Sequence, residues 1–420
     1  MDLSLLLPAL VSGVGFYLLI KLRLFFVFHP IKTARELIKG LKKRDDRRSF
    51  SLALAGTLGV GNIFGVSAGI MIGGPGSLFW MFISSLFAMV IKYAETLLVF
   101  DHGAERGGMA SLVKRVLGRM GRIFAPLYAA FTIALALFMG SAMQSTAVID
   151  TAARTLSIHP AVSMTILIAL LMPCILGGVR KIESITEIII PLTTIIYILM
   201  CLGVILSNFE RFGDAITSVL SSAFSFRSTV GGGVSFLGVR EGFARGILSN
   251  EAGVGTSAMA HARSRERSPH SAGLFAMCEV VFDSLLLCML TGFAILVSPI
   301  NICAFSTPMS LVIASFSETF GSTFTLILPF LILCFAYSTL ICWYYYGREC
   351  VCVFYPRMSP IYLPVFMLFI FISSYLRSDF LLYVIDFILL VMSIITLFAI
   401  LKRSKRIAAI TLSAYRKNPE

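Results

Sequence analysis

The feature that most limits the fold of this chain is a succession of long apolar runs separated by short polar connectors. A run of about 20 apolar residues is long enough to cross the hydrocarbon core of a bilayer as a helix. A helix also bonds its own amides and carbonyls, which lipid cannot do. The pattern predicts eleven membrane helices, over residues 3–28, 51–72, 76–100, 123–151, 160–177, 185–207, 236–261, 271–298, 323–347, 358–376 and 380–401.

Composition agrees with this class. Hydrophobic residues make up 57% of the chain and charged residues 14%, whereas a soluble domain carries about a quarter charged residues. We predict an all-α integral membrane protein with one domain over residues 1–420 and with the lipid bilayer as its surroundings. The five histidines form no HExxH or similar pattern, and no convergent catalytic set is visible, so we predict that the protein is not an enzyme.

The positive charges predict how the chain is oriented. If the N-terminus is outside, the inner connectors and the tail hold 28 of the 35 Lys and Arg residues and the outer connectors hold 4. Cytoplasmic loops carry such an excess of basic residues, so the C-terminus is predicted to be cytoplasmic. Because the net charge of +13 is spread over connectors between apolar runs, no nucleic acid partner is predicted.

Two of the apolar runs contain residues that weaken a helix. The second run includes "AGTLGVGNIFG" at residues 55–65, and the seventh includes "VREGFARGILSNEAGVGTSAMAHA" at residues 239–262. Each interior glycine costs a helix roughly 1 kcal/mol relative to alanine, and polar residues such as Asn62, Asn250 and Glu251 stand beside the glycines. Close packing of helices through small residues would explain one such segment.

The positions of the two weakened runs favour deliberate unwinding. With the first helix set aside, they are the first and sixth of ten helices and begin on opposite sides of the membrane. Glycine-interrupted helices at matching positions of two inverted halves are typical of secondary transporters, whose sites lie at the breaks. The halves would be residues 51–207 and 236–401, with an extra N-terminal helix and inner loop at residues 1–50 and a cytoplasmic tail at residues 402–420.

Three blocks of the sequence resemble the signature segments of a known family. They are "LGVGNIFGVSAGIMIGGPGSLFWMFISSLFAMVIKYAE" at residues 58–95, "GFARGILSNEAGVG" at residues 242–255 and "FAYSTLICWYYYGREC" at residues 335–350. In this order they look like the alanine or glycine:cation symporter family of the amino acid–polyamine–organocation superfamily. The resemblance implies the leucine-transporter fold, a five-plus-five inverted repeat with two broken helices. It also implies a prokaryotic inner (cytoplasmic) membrane protein that couples Na+ entry to uptake of small neutral amino acids.

The residues themselves indicate where a cation would bind. Unwinding at residues 56–61 would free carbonyls near Ala55 and Leu58, while Ser338 and Thr339 supply hydroxyls on the ninth helix, one turn after the Phe335 carbonyl. Five neutral oxygens suit a monovalent hard cation better than a divalent one. By resemblance to the shared sodium site of the fold, these five positions are the predicted Na+ ligands. The hydroxyls could instead bond to the preceding turn of their own helix.

The substrate is expected to meet both breaks. Free amides at the start of a half-helix suit the carboxylate of an amino acid, and the family has a glutamine in the third core helix where this chain has Gln144. By resemblance, Thr339 and Trp343 line the pocket. Gln144 could alternatively bond across a helix interface, and Trp343 could be an interfacial anchor. The predicted substrate residues are Gly59, Val60, Gly61, Asn62, Gln144, Leu248, Asn250, Thr339 and Trp343.

Two residues depart from the family pattern at the predicted site. Val60 stands where threonine is usual, and Leu248 stands where phenylalanine is usual. Such changes can shift substrate preference by roughly 1–3 kcal/mol.

The predicted function is Na+-coupled symport of alanine or glycine, with Na+ as the coupling ion and no organic cofactor. Proton coupling, Na+-independent exchange and a non-transporting membrane sensor stay open as alternatives. Glu251 could stabilise its own break or bind an ion. Glu279, Asp283 and Asp386 also lie in apolar runs, where a charged residue points to a function.

Overall fold

The structure is a computed structural model that describes residues 6–25, 29–224, 233–264, 267–321 and 324–416. These residues form helices and turns, with no strand among them. The ends of the predicted segments at 3–5, 26–28 and 323, and tail residues 417–420, lie outside the described residues.

A helix lies at each of the eleven predicted segments. In chain order they are α1 (Leu6–Lys21), α2 (Arg44–Thr57 and Gly61–Gly73), α3 (Gly76–Asp101), α4 (Gly121–Leu156), α5 (Pro160–Leu176), α6 (Val179–Ser207), α7 (Gly233–Asn250 and Ser257–His261), α8 (Pro269–Val297), α9 (Phe324–Phe354), α10 (Ser359–Ile372) and α11 (Ser378–Arg416).

Length and hydropathy support membrane spanning for most of these helices. Among the described residues, six helices are long and apolar enough to cross a bilayer, and the bent pair that forms α2 makes seven. α1 and α5 are apolar but shorter, as is the helical stretch Pro356–Ile372 that contains α10. The coarse prediction of an all-helical protein with many apolar helices is therefore confirmed, and the number eleven for the spans stays a prediction.

Burial separates central helices from peripheral ones. The most apolar window of α3 is 78% buried, whereas that of α6 is 39% buried. α3 packs against both α7 and α8, and α1 lies outside this group against α3 and α11. Large apolar side chains such as Leu176, Ile188 and Tyr383 are mostly exposed on peripheral helices. Exposure of this kind is expected where lipid, and not water, covers the surface.

Both predicted breaks are present. The two halves of α2 meet at an angle of 42°, and the second half opens with a π-helical turn at Gly61–Gly65. In α7 the helix ends at Asn250 and resumes at Ser257. Two further π-helical stretches lie in unbroken helices, at Ala136–Met143 of α4 and Val281–Cys288 of α8.

The connectors hold structure that the apolar pattern did not predict. Helices cover Pro30–Leu41, Gly108–Val116, Phe212–Phe224 and Pro308–Phe320. The stretch after residue 401, predicted only as a tail, continues α11 as a helix to Arg416.

Candidate functional site at the two breaks

The break in α2 diverts three amides from the carbonyls that would bind them in a continuous helix. The amide of Gly59 donates to Thr57 O (2.8 Å) instead of Ala55 O, and that of Asn62 donates to Gly59 O (3.4 Å) instead of Leu58 O. The amide of Val60 donates to Gln144 Oε1 (3.0 Å). Ala55 and Leu58, the two predicted carbonyl ligands, thus lose their helical donors at this break.

Side chains from α4 and α9 complete the surroundings of this break. Trp343 Nε1 donates to Gly56 O at 3.3 Å, and Gln144 Nε2 donates to Met139 O at 3.3 Å. Trp343 is fully buried, so it is not the interfacial anchor that the sequence left open. A Cβ on Gly59 would lie 2.7 Å from Thr339 Oγ1 and 3.1 Å from Gln144 Oε1. Glycine is needed here because these side chains approach the backbone closely.

The two predicted hydroxyl ligands on α9 differ in their surroundings. Ser338 Oγ lies 2.9 Å from both Cys334 O and Phe335 O, so it bonds to its own helix. Thr339 Oγ1 is buried and has no hydrogen-bond partner among the described residues. The back-bonding alternative therefore describes Ser338, and Thr339 keeps an unpaired oxygen beside the break.

The break in α7 is held open by polar groups from its own turn and from α3. The amide of Ala252 donates to Asn250 Oδ1 (3.0 Å), and that of Gly253 donates to Glu95 Oε2 (3.0 Å). Lys92 Nζ donates to Asn250 O (2.7 Å). In a continuous helix the Ala252 and Gly253 amides would instead donate to Leu248 O and Ser249 O, and Asn250 O would accept from the Val254 amide.

Positive φ angles at three residues allow the chain to turn at this point. Glu251, Gly253 and Gly255 have φ values of 55°, 81° and 75°. Glycine adopts such angles readily, whereas Glu251 does so at a cost. Glu251 Oε2 accepts a hydrogen bond from Thr256 Oγ1 (2.5 Å). This bond connects the left-handed residue to the N-cap of the second half of α7.

Asp283, in the π-helical stretch of α8, joins the two breaks. Its Oδ1 accepts from Asn62 Nδ2 (2.7 Å), and its Oδ2 lies 2.8 Å from Ser249 Oγ and 2.7 Å from Ser284 Oγ. Asn250 Nδ2 donates to Ser284 Oγ at 3.1 Å. One carboxylate therefore contacts the residues that begin α2's second half and end α7's first half.

The predicted site residues fall into two adjacent groups. Gly59, Val60, Gln144, Thr339 and Trp343 surround the break in α2. Asn62 and Asn250 belong to the Asp283 network, while Leu248 packs against α2, where a Cβ on Gly65 would lie 3.6 Å from Leu248 Cδ2. A Cβ on Gly61 would come no closer than 3.9 Å to any neighbour.

Sequence reasoning missed the charges of α3. Lys92 and Glu95 are both fully buried, and the former lies 3.5 Å from Glu279 Oε2. They were visible in the sequence as "KYAE" within an apolar run, and ionisable residues at membrane depth are functional candidates by default. Asp386, whose partner the sequence did not name, accepts from Arg245 Nη2 at 2.6 Å.

Several cavities adjoin the predicted inner connectors. One of about 100 Å³ is bounded by Arg106, Met259, Arg263 and Tyr345, and neighbouring ones of about 200 and 540 Å³ adjoin Arg106. Near the opposite ends of the helices, a cavity beside Phe64 measures only about 10 Å³. The cavity of about 100 Å³ adjoins the second half of α7, which follows its break.

Comparison with known proteins identifies the family. The sequence profile described as the sodium:alanine symporter family matches residues 2–420. The chain belongs to the sodium:alanine symporter family. Members of this family are multi-pass membrane transporters, so the amino-acid transporter class and the recognition from the three signature blocks are confirmed.

Individual relatives of this chain are also described as transporters or symporters. The chain is 33% identical over 360 residues to an uncharacterized transporter of Haemophilus influenzae, covering 81% of this chain and 78% of the relative. It is 31% identical to the sodium/alanine symporter AgcS of Methanococcus maripaludis, covering 81% and 79%. It is also 31% identical to the probable sodium/glutamine symporter GlnT of Bacillus subtilis, covering 82% and 74%.

A solved structure supports the fold. The manganese transporter of Eremococcus coleocola superposes with a TM-score of 0.50 over 83% of this chain and 75% of that chain. The two sequences are 15% identical, so the likeness concerns the fold alone.

Proposed function

We propose that this member of the sodium:alanine symporter family is a Na+-coupled symporter that imports small neutral amino acids, alanine or glycine. It would work by alternating access around the two broken helices. The observation that carries the proposal is the break in α2, where the Ala55 and Leu58 carbonyls lose their helical donors. The hydroxyl of Thr339 lies next to this break and has no hydrogen-bond partner in the described part of the chain. Neutral oxygens at this position suit Na+.

The proposed Na+ ligands are the oxygens of Ala55, Leu58, Phe335, Ser338 and Thr339. Ser338 would have to turn from its own helix when the ion binds, since its hydroxyl lies 2.9 Å from carbonyls of its own helix. No organic cofactor is part of the proposal. The relative AgcS is named a sodium/alanine symporter, which agrees with the choice of ion.

The proposed substrate site lies beside the ion, between the breaks. Gln144 bonds the Val60 amide and Trp343 bonds the Gly56 carbonyl, so both side chains already contact backbone that the break exposes. The close approach of Thr339 and Gln144 to Gly59 brings proposed substrate residues of α2, α4 and α9 together. The residues proposed to line the site are Gly59, Val60, Gly61, Asn62, Gln144, Leu248, Asn250, Thr339 and Trp343.

The finer architecture belongs to the same proposal. α2 to α6 and α7 to α11 would form two inverted halves of five spans, with α1 as an addition, giving eleven spans in the leucine-transporter arrangement. The protein would lie in a prokaryotic cytoplasmic membrane with its N-terminus outside and its C-terminus inside. The position of α1 at the edge of the bundle, against α3 and α11, supports its treatment as an addition.

The test is uptake of labelled alanine and glycine into liposomes that contain the purified protein. Uptake is expected to rise steeply with an inward Na+ gradient and to stay at background in choline chloride. Uptake that is indifferent to Na+ but follows a proton gradient would replace Na+ by H+ as the coupling ion. Protein-free liposomes and liposomes with the Thr339→Val variant serve as controls for leakage and for the site.

A further inference from the structure

Among the described residues, two carboxyl groups next to the break in α7 each have one oxygen without a hydrogen-bond partner. Glu95 and Glu251 are both fully buried. One oxygen of each is bonded at the break, to the Gly253 amide and to Thr256 Oγ1 respectively. Glu95 Oε1 and Glu251 Oε1 accept no hydrogen bond from the described part of the chain. A buried carboxylate oxygen without a hydrogen-bond donor is unfavourable. We therefore expect a proton or a cation to bind at these two atoms.

The neighbouring histidine supplies no positive charge. Arg267 Nη1 lies 2.8 Å from His261 Nδ1. Because a guanidinium can only donate, Nδ1 of the histidine must accept. Its proton is then on Nε2, which contacts Glu279 Oε1 as a donor. His261 is therefore neutral in this arrangement, and Arg267 is itself paired with Asp46 at 2.7 Å.

The remaining charges around the break do not balance. Lys92 is the one ammonium group among the described residues of this cluster. It lies 3.5 Å from Glu279 and also interacts electrostatically with Glu95, Glu251 and Asp283. Asp283 adds a further negative charge in the neighbouring network. Tyr128, Tyr346 and Cys342 also interact electrostatically with Glu251, and none of the three is cationic. One positive charge thus faces four buried carboxyl groups, whereas buried ionised carboxylates each require a partner.

We propose that Glu95 and Glu251 together bind at least one proton inside the membrane, and that its uptake and release accompany rearrangement of the break in α7. Protonation would form an O–H bond at one of the two unpaired Oε1 atoms and would take one proton from solvent. Deprotonation returns that proton to solvent. The cavity of about 100 Å³ at Met259 and Ala262 adjoins the helix Ser257–His261 that follows the break and would connect this region to solvent.

The proton would act on the backbone of the break. A carboxylate accepts a hydrogen bond from an amide more strongly than a neutral acid does. Protonation of Glu95 would therefore loosen its hold on the Gly253 amide, while Lys92 continues to hold the Asn250 carbonyl. The site is distinct from the proposed Na+ ligands, which lie at the other break.

The experiment detects the bound proton directly and does not depend on a transport assay. Infrared difference spectra of the purified protein in nanodiscs, without substrate, would be recorded as the pH is raised from mildly acidic to alkaline. The expected result is a carbonyl stretching band of a buried carboxylic acid that disappears at high pH. In Glu95→Gln and Glu251→Gln this band is lost or shifted. It persists in Glu105→Gln, which removes an exposed carboxyl of an inner connector.

The outcomes are separable from those of the uptake assay. A wild-type spectrum without an acid band at any pH overturns the proposal, even if neither glutamine variant folds. A band that persists in both variants places the proton elsewhere and also overturns it. A band present in choline chloride but absent in sodium chloride at the same pH would make Na+ the occupant and overturn it as well. Each of these results can occur whether or not Na+ drives uptake.

Discussion

Thr339 and Ser338 are adjacent in the sequence but have opposite surroundings, and this difference decides how each should respond to substitution. The hydroxyl of Ser338 already bonds carbonyls of α9, whereas that of Thr339 is buried beside Gly59 without a partner among the described residues. Helical back-bonding is the usual role of such hydroxyls. Thr339 is the exception that points to a ligand.

Thr339→Val should raise the Na+ concentration for half-maximal alanine uptake about tenfold, which corresponds to about 1.4 kcal/mol. Valine keeps the shape of threonine and removes only the oxygen. Ser338→Ala should give a smaller shift, because its hydroxyl must first leave its own helix. Initial uptake rates across a Na+ titration measure both effects.

Thr165→Val is the matched control for that titration. The hydroxyl of Thr165 bonds to Ala161 O within α5 (2.8 Å), far along the chain from either break. Its Na+ dependence should equal that of the unmodified protein. An unchanged Na+ dependence in Thr339→Val would place the ion at other oxygens.

The sequence indicated which residues lie near the breaks, but it did not indicate which atoms they contact. Val60 was singled out because a threonine is usual there, yet the contact it makes with Gln144 comes from its amide and is independent of its side chain. Sequence reasoning could not name that pair, since the amide becomes available only once the helix ends. Lys92 and Glu95 were readable as buried charges, but their partners lie about 158 positions away in the chain.

At the scale of elements, the two breaks are built differently. The α2 break is a bend followed by a π-helical turn and contains no residue of positive φ, whereas the α7 break uses three residues of positive φ. Glycine content predicted both positions. It did not distinguish the two geometries, because glycine weakens a helix whether the chain then forms a π-helical turn or a left-handed turn.

Gly253→Ala should lower the melting temperature of the purified protein. Alanine at a φ of 81° is strained by roughly 1–2 kcal/mol, and the new Cβ would lie 3.4 Å from Ser393 Oγ. Thermal unfolding in detergent, followed by intrinsic fluorescence, is the measurement.

Gly213→Ala serves for comparison. Gly213 lies in the helix Phe212–Phe224, and a Cβ there would meet nothing within 4 Å. This change should leave the melting temperature the same or raise it slightly, since alanine favours a helix. Equal melting temperatures for both variants would mean that the break relaxes around the added methyl group.

At the scale of the whole molecule, hydropathy located the helices and charge predicted their direction. The positions of the eleven helices follow from apolar length alone, which is why they could be read from sequence. The connector helices and the extension of α11 to Arg416 could not be read in this way, because they do not span the bilayer and depend on contacts. One such contact is the bidentate pair of Arg406 with Asp101 at the end of α3.

A native cysteine tests the predicted orientation. Cys303 is exposed in the connector between α8 and α9, which is predicted to be outside. A membrane-impermeant maleimide should label it in intact cells, and Cys303→Ser should abolish that labelling. Cys352, near the predicted inner end of α9, should react only after the membrane is permeabilised. Labelling of Cys303 only in permeabilised cells would show that the orientation is the reverse of the predicted one.

The side chains that hold the breaks open have a consequence for how the protein is assembled. Gln144 of α4 accepts a hydrogen bond from the Val60 amide. In α3, Lys92 donates to a backbone carbonyl of the α7 break and Glu95 accepts from a backbone amide there. An isolated α2 or α7 in lipid lacks these partners, and its freed amides and carbonyls would be costly there. Each segment should therefore leave the insertion machinery as a continuous helix and unwind only when α3 and α4 pack against it. The breaks are then products of late assembly, and a chain arrested before that step would carry two straight helices in their place.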